Sequence, residues 1–466
     1  TLSKHLIKTF YVLLFYYIFL SFIFTDTYFL HNRLYIVDTY TILFKILIVI
    51  TTIIILNTPL MVKTELIPNM LEYSAIVSVA SLNFLLFISS FDLMSMYLTI
   101  EAASLALYTL AALNFTSESS IEAGLKYFTV GAISSSILIF SISLIYGSIK
   151  ITDFLYLHKH LWLFSNGDLH FNIELCLFGL AGILISFLFK VSAFPCHFWT
   201  PDVYEGCPLN ITAFFAITVK LSVISFLFRF WGYLLKNVFS NFQFLFYFIS
   251  IGSILVGCFC AMLTQRIKRF IAYSTINHIG YIFSGLTINS YAGVKAAILY
   301  LLIYIFTNLI FFLFIFKINS AFIGIKNITY WSDFTRFCQY DNYNFIYFSL
   351  ILLSMAGIPP FLGFFSKYIL LLAIYEKKFI FLTFTILLVS TISCYYYLNI
   401  IVTTWNTLNK DKVFKYFFFV KKKYIHSVNI FILTNIIFFL SFDKISIIFD
   451  KLMLSCLFLM STLNFI

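Results

Sequence analysis

Four ionisable residues sit where an ordinary soluble domain would never leave them, each inside a long apolar run. Glu101 lies between Tyr97 and Tyr108, Lys190 stands five residues before Pro195, Lys220 falls in the run after Pro208, and Lys367 follows the pair Pro359 and Pro360. A charge within hydrocarbon needs a partner, a water path or an escape to the interface. Snorkelling fails for Lys220, which has about ten apolar residues on either side. A static pair accounts for Glu101 and one lysine but leaves two lysines over. One acid and three amines read instead as stepping stones for a proton. Burial disfavours the ammonium and a nearby carboxylate restores it. An ion pair at about 4 Å with an effective dielectric near 20 is worth roughly 4 kcal/mol, against about 2.3 kcal/mol for carrying a proton through 100 mV. Making and breaking one Glu–Lys pair is large enough to load and release a proton.

The elements that must position these residues are transmembrane helices. The 466 residues are 62% hydrophobic and only 11% charged, which excludes a soluble enzyme, a nucleic-acid-binding domain and a disordered linker. The net charge of +11 is the signature of loops oriented by the positive-inside rule rather than of nucleic acid. The eight cysteines contain no CxxC pair, so no metal or iron–sulfur site is expected, and no glycine-rich nucleotide loop occurs. No cleavable signal or Arg-rich transit peptide is read at the start, where the first apolar run begins within a few residues of Thr1. Codon-biased usage of Phe, Tyr, Ile, Lys and Asn fits an organellar gene.

At about 20 residues per span, apolar runs fall near 7–25, 37–57, 70–90, 91–113, 123–147, 174–206, 209–233, 243–263, 269–287, 292–316, 344–375 and 380–403, with one or two more in 428–464. The expected fold is therefore an all-α polytopic membrane protein of about 13–14 transmembrane helices. Polar loops are expected around Asp153–Asp168 and 317–343, and most phenylalanines are expected to face lipid. Lys and Arg concentrate on the N-terminal side (Lys4, Lys8, Lys63, Lys126, Arg266, Lys268, Arg269 and the cluster Lys410–Lys423 among them), placing that side in the cytoplasm or matrix.

Two runs each join helix-breaking proline to lysine: Lys190 with Pro195 and Pro201, and Pro359 and Pro360 with Lys367. The two lysines are 177 positions apart, one in each half of the chain. Interrupted spans at corresponding places in two halves point to two inverted five-helix repeats, each with a discontinuous helix. The domain reading is N-terminal helices over 1–90, a first antiporter-like half over 91–233 broken near 190–201, a second over 243–403 broken near 355–367, and a basic loop with C-terminal helices over 404–466.

These motifs resemble the antiporter-like subunits of respiratory complex I. The stretches that carry the resemblance run from Glu101 to Tyr108, Ile121 to Phe128, Phe189 to Tyr204, Ile267 to Tyr281 and Ala356 to Lys367, in family order across about residues 90–400. The sequence from His197 to Tyr204, and a lysine rather than a glutamate in the second broken helix, look like the subunit 2 branch. The resemblance implies that Glu101 partners Lys190, that Lys220 is the central-axis lysine and that Lys367 serves the exit half-channel. His278, Glu122 and Lys126 also match family positions. For His278 a hydrogen-bonded core role stays open. For Glu122 and Lys126, spaced i, i+4 at a helix start, a plain surface pair stays open. Glu101 falls on the fourth span, one earlier than in bacterial members, so one N-terminal helix is expected to be missing.

The resemblance further implies a proton-translocating membrane-arm subunit of mitochondrial NADH:ubiquinone oxidoreductase, multi-pass in the inner membrane and organelle-encoded. This chain would bind no cofactor. NADH, FMN, iron–sulfur clusters and ubiquinone would belong to partner subunits, with room for structural phospholipid. Its partners would be other membrane-arm subunits including neighbouring antiporter-like ones, accessory subunits and the lipid bilayer, with no nucleic acid. The alternatives are a subunit of a multisubunit cation/proton antiporter and a structural membrane scaffold.

Overall fold

The structure, a computed structural model, describes residues 2–23, 28–61, 70–165, 173–321, 329–332 and 342–408. The expected basic loop and C-terminal helices of 404–466 lie almost wholly outside the described residues. Within them the chain is helical apart from one small hairpin, β1 (Tyr28–Leu30) against β2 (Tyr35–Val37), paired antiparallel with Tyr28 opposite Val37. Nine helices among the described residues are long and apolar enough to cross a membrane. A helix satisfies its own backbone, which lipid cannot do. The hydroxyls follow the same rule: Ser and Thr side chains along the spans donate to carbonyls three or four residues back, as Thr99 does to Ser95 and Thr218 to Phe214.

Two compact units emerge. Unit 1 contains α1 (Leu2–Ile23), most of α2 (Thr39–Met61), α3 (Met70–Ser89), α4 (Leu93–Ala111), α5 (Glu118–Ile149), α6 (Phe154–Ser165), α7 (Ile173–Val191), α8 (Trp199–Gly206), α9 (Leu209–Phe214) and α10 (Lys220–Phe230). A π turn over Phe215–Val219 joins α9 to α10 and a second over Trp231–Leu235 follows, so that Leu209–Leu235 runs as one span of 27 residues. Unit 2 takes the end of α2 from Thr58 and then runs from Phe246, inside α11 (Phe239–Leu263), through α12 (Ile267–Leu286), α13 (Tyr291–Ala321), α14 (Asn342–Ala356), α15 (Leu362–Glu376) and α16 (Ile380–Leu408).

In each unit five consecutive spans carry their break in the fourth: α3, α4, α5, α7–α8 and α9–α10, then α11, α12, α13, α14–α15 and α16. The third member is the long one both times, 32 residues in α5 and 31 in α13. Both apolar runs read as single spans are thus cut at their prolines, between Ser192 and Phe198 and between Gly357 and Phe361.

Two expectations need correction. The polar stretch after Lys150 is not a plain loop: Asp153 accepts the Leu155 N–H at 2.8 Å and starts the 12-residue helix α6, whose His158 Nδ1 lies 2.7 Å from the Tyr233 carbonyl oxygen. Nor do the phenylalanines of unit 1 mainly face lipid. Phe87, Phe187, Phe226 and Phe230 are buried together, with Phe87 and Phe226 ring centres 4.4 Å apart. Ring-to-ring packing supplies contact where water no longer drives helices together.

In unit 2, Gly257 on α11 lets the α12 backbone at Asn277 come close enough that any side chain at 257 would overlap Asn277 backbone atoms. Gly257→Val is expected to destabilise the unit by about 1–3 kcal/mol or more, read as lost assembled protein in thermal melting of solubilised membranes. Gly147→Ala, where nothing lies within 4 Å, is the matched substitution that should melt like wild type.

Candidate functional site: buried lysines, tyrosines and helix breaks

In unit 1 the break gives α7 a free C-terminal end, and Lys190 sits in its last turn. The carbonyl end of a helix favours a cation. The chain then crosses Ser192, in the left-handed region at φ 65°, and the cis peptide Phe194–Pro195. Trp199 at the head of α8 donates from Nε1 to the Phe189 carbonyl at 2.9 Å, recovering one of the carbonyls left open by the break.

Lys190 Nζ donates to the Tyr108 hydroxyl at 3.4 Å and lies 5.8 Å above that ring. Glu101, two turns earlier on α4, makes no direct ion pair with Lys190, although its charge still acts on the ammonium. The pair read from the sequence is therefore open, with Lys190 resting on Tyr108. Glu101 Oε2 is buried without a hydrogen-bond partner among the described residues. That is an unstable condition for a carboxylate and one that contact with a cation would relieve.

Lys220 is 2% exposed and begins α10 directly after the π turn, with Nζ 5.7 Å from the ring of Tyr204 on α8. Tyr127 on α5 lies between the two lysines' tyrosines. It packs edge-on against Tyr108 at 5.0 Å, stacks on Trp199 at 4.8 Å and is within electrostatic reach of Tyr204. Lys190, Tyr108, Tyr127, Tyr204 and Lys220 thus follow one another through the unit, joined by one hydrogen bond, ring contacts and electrostatic reach.

Unit 2 repeats the theme with other residues. Lys367, on α15 and 6% exposed, reaches back across the break to donate to the Ala356 carbonyl at 2.7 Å, the last residue of α14. It also donates to Ser393 Oγ at 3.4 Å and lies 5.4 Å above the Tyr281 ring. Gly357, at φ 82°, keeps the break open beside it, since a Cβ there would stand 2.9 Å from Lys367 Cδ. His278, 7% exposed on α12, shares a hydrogen bond of 2.9 Å with the Tyr300 hydroxyl, and the Tyr300 ring stacks on Tyr281 at 5.4 Å. The succession here is His278, Tyr300, Tyr281, Lys367. Both broken-helix lysines therefore lie at a helix break and over a tyrosine from the second helix of their own five, and Lys367 also bonds a terminal carbonyl.

Glu122 and Lys126 stand apart from this. They pair at 2.7 Å at the start of α5, and Lys126 also bonds Asp202 of α8 at 2.9 Å, all with side chains 40% or more exposed. Such exposed pairs contribute about 0–1 kcal/mol. They tie α5 to the second half of the broken helix and do not join the buried series. The tyrosines leave no mark in the sequence, because a buried tyrosine carries no charge to betray it. Lys45, Asp38 and Arg229 are further charges within or at the end of apolar runs, outside the four singled out by the sequence.

Buried cations at paired helix breaks, in two units of the same five-span order, define a polytopic antiporter-like membrane protein. Residues 90–393 match the family described as NADH:quinone oxidoreductase/Mrp antiporter, TM. The chain is 40% identical over 334 residues to NADH-quinone oxidoreductase subunit N 1 of Rhizobium meliloti (strain 1021), covering 72% of this chain and 68% of that one. It is 35% identical to NADH-ubiquinone oxidoreductase chain 2 of Marchantia polymorpha, covering 72% and 67%. The chain belongs to this family. Its fold is similar to a chain of respiratory complex I from Thermus thermophilus (TM-score 0.76, 22% identity, 96% and 93% covered). It is also similar to a chain of the Mrp complex from Dietzia sp. DQ12-45-1b (TM-score 0.75, 19% identity, 86% and 74% covered).

Gly131 on α5 supplies a direct test of the Lys190–Tyr108 contact, because a methyl group there would overlap the Tyr108 ring. Gly131→Ala is expected to keep assembly while lowering proton transfer per electron in sealed vesicles. Tyr108→Phe, which keeps the ring and removes the hydroxyl, should move the ratio the same way; a wild-type ratio in both would rule out a role for this contact.

Proposed function

We propose that this chain is a proton-translocating membrane-arm subunit of an NADH:ubiquinone oxidoreductase, carrying no redox centre of its own. The observation that carries the reading is the placing of Lys190 and Lys367 at helix breaks, each connected through tyrosines to a second titratable group in its own unit. NADH oxidation through FMN and iron–sulfur clusters and the reduction of ubiquinone fall to partner subunits, and their energy reaches this chain as a change in electrostatics or conformation. Its partners in this reading are other membrane-arm subunits, antiporter-like ones among them, together with accessory subunits and bilayer phospholipid. The organelle reading places it in the mitochondrial inner membrane, supported by the likeness to a liverwort chain 2; the likeness to bacterial subunit N fits the same role in a bacterial membrane.

The chemistry needed is modest. With Glu101 turned toward Lys190 the ammonium is favoured; with the pair open, as here, Lys190 gives up its proton more readily. Tyr108, Tyr127 and Tyr204 can each accept and donate a proton through the hydroxyl without a net charge remaining in the hydrocarbon. Lys220 then receives the charge at the end of that series, and its release must coincide with the electrostatic signal from a neighbour. The same logic runs from His278 to Lys367, where no carboxylate is needed because the Ala356 carbonyl and the Tyr281 ring offset part of the charge.

Lys220→Met removes the proton acceptor and keeps most of the packing volume. The expected result is an assembled complex that oxidises NADH with fewer protons moved per electron, measured by proton uptake against NADH consumption in sealed membrane vesicles. An unchanged ratio would sink the assignment of Lys220. Peptides of this chain should also run with NADH dehydrogenase activity on a native gel; recovery only in a smaller inactive assembly, with sodium-dependent exchange, would favour the cation/proton antiporter instead.

A further inference from the structure

Unit 1 holds a second group of charges, outside the stretches that carry the family resemblance. Asp38 caps α2, accepting the Thr41 N–H at 2.7 Å, and takes two hydrogen bonds of 2.8 Å from Arg229 Nη2 on α10. Arg229 also donates to the Ile88 carbonyl at 2.9 Å and lies 5.3 Å from the Tyr40 ring. Asp38 and Arg229 are 5% and 6% exposed. This pair is saturated, and Arg229 does not lose its proton. Two turns along α2 from Asp38 stands Lys45, 8% exposed. Its Nζ lies 5.7 Å over the Tyr17 ring and feels the charges of both Arg229 and Asp38. Among the described residues it makes neither an ion pair nor a hydrogen bond. Of the three charged groups it alone is placed to change charge.

Its depth is informative. Asp38 meets Arg229, and two residues farther along α2 the Tyr40 hydroxyl donates to the Ser225 carbonyl, four residues back along α10. The contacts step in opposite directions, so α2 and α10 run antiparallel. Lys45 is seven residues beyond Asp38 and Lys220 nine residues before Arg229, which at the helical rise puts them about 10 and about 14 Å from that contact. The two buried lysines therefore stand at similar depth on opposed helices, with the fixed Asp38–Arg229 pair toward one end of both.

We propose that Lys45 is a further proton-loading residue of unit 1, set by the fixed Asp38–Arg229 pair and serving the same translocation as Lys220. This rests on the translocation reading above. Loading forms one N–H bond at the Nζ lone pair from a hydronium ion, which leaves as water; discharge breaks that bond and returns the proton to water. Nothing else is made or broken.

The test uses the whole complex in sealed vesicles carrying Lys45→Met, Lys45→Arg or Lys220→Met, with assembly followed on native gels. Lys45→Arg keeps a cation over Tyr17 but cannot release its proton, so it separates proton loading from a fixed structural charge. Both Lys45 variants are expected to assemble, oxidise NADH and show a loss of protons per electron comparable to that of Lys220→Met. A wild-type ratio in Lys45→Arg overturns the proposal, because the lysine is then a fixed cation pinning α1 to α2. That variant carries the decision if Lys45→Met does not assemble. A loss in Lys220→Met beside normal Lys45 variants removes only Lys45, whereas a normal ratio in Lys220→Met removes the assignment of Lys220 and leaves Lys45 to be decided by its own variants.

Discussion

A positive charge held in hydrocarbon must be met by electron density that does not itself need water, and here that density is the face of tyrosine. Lys45, Lys190, Lys220 and Lys367 lie 5.4–5.8 Å from the ring centres of Tyr17, Tyr108, Tyr204 and Tyr281, whereas Arg229, 5.3 Å from Tyr40, is also met by the Asp38 carboxylate. A carboxylate would stabilise each ammonium more strongly, and for that reason would hold its proton too firmly for transfer. A ring quadrupole gives about 0.5–2 kcal/mol and adds no charge of its own when the lysine is neutral. The helices, their breaks and the close glycine contacts are arranged around these pairs. Gly131 makes room for the ring that meets Lys190, and Gly357 for the stem of Lys367.

The two units solve one problem with different parts. Tyr108 lies seven residues after Glu101 on α4, and Tyr281 seven residues after Ser274 on α12. Where unit 1 has an acid, unit 2 thus has a hydroxyl that is bonded to the Ile271 carbonyl of its own helix. Lys190 therefore has a carboxylate within electrostatic reach but not in contact, and Lys367 a carbonyl at the end of α14. The histidine beside Tyr300 gives unit 2 a second ionisable side chain, the place that Lys220 holds in unit 1.

Charge and proline made much of this legible in the sequence. Glu101, Lys190, Lys220 and Lys367 are conspicuous because almost nothing else in their runs is polar, and Pro195, Pro359 and Pro360 locate both breaks to within a few residues. What stayed hidden has a common physical cause. Tyrosine counts as apolar in composition, so Tyr108, Tyr127, Tyr204 and Tyr281 blend into the runs that contain them. Helix α6, at 12 residues, is too short for a span, and it is ordered by the Asp153 cap, the Tyr233 carbonyl and the burial of Phe154, Leu157 and Leu161. The Asp38–Arg229 pair joins residues 191 positions apart, a distance over which no local pattern operates.

The π turns at Phe215–Val219 and Trp231–Leu235 bracket α10. Each holds one residue more than a regular turn, so side chains on its two sides are out of phase by about 100° relative to an unbroken helix. Such a surplus residue is a dislocation, and a dislocation can glide: as it passes a position, that side chain rotates about the axis while both ends of the span keep their contacts. Lys220 and Arg229 lie between two of these defects. Arg229 is held by Asp38 and the Ile88 carbonyl, so the facing of Lys220 is set from that end of α10 rather than from the start of the span at Leu209.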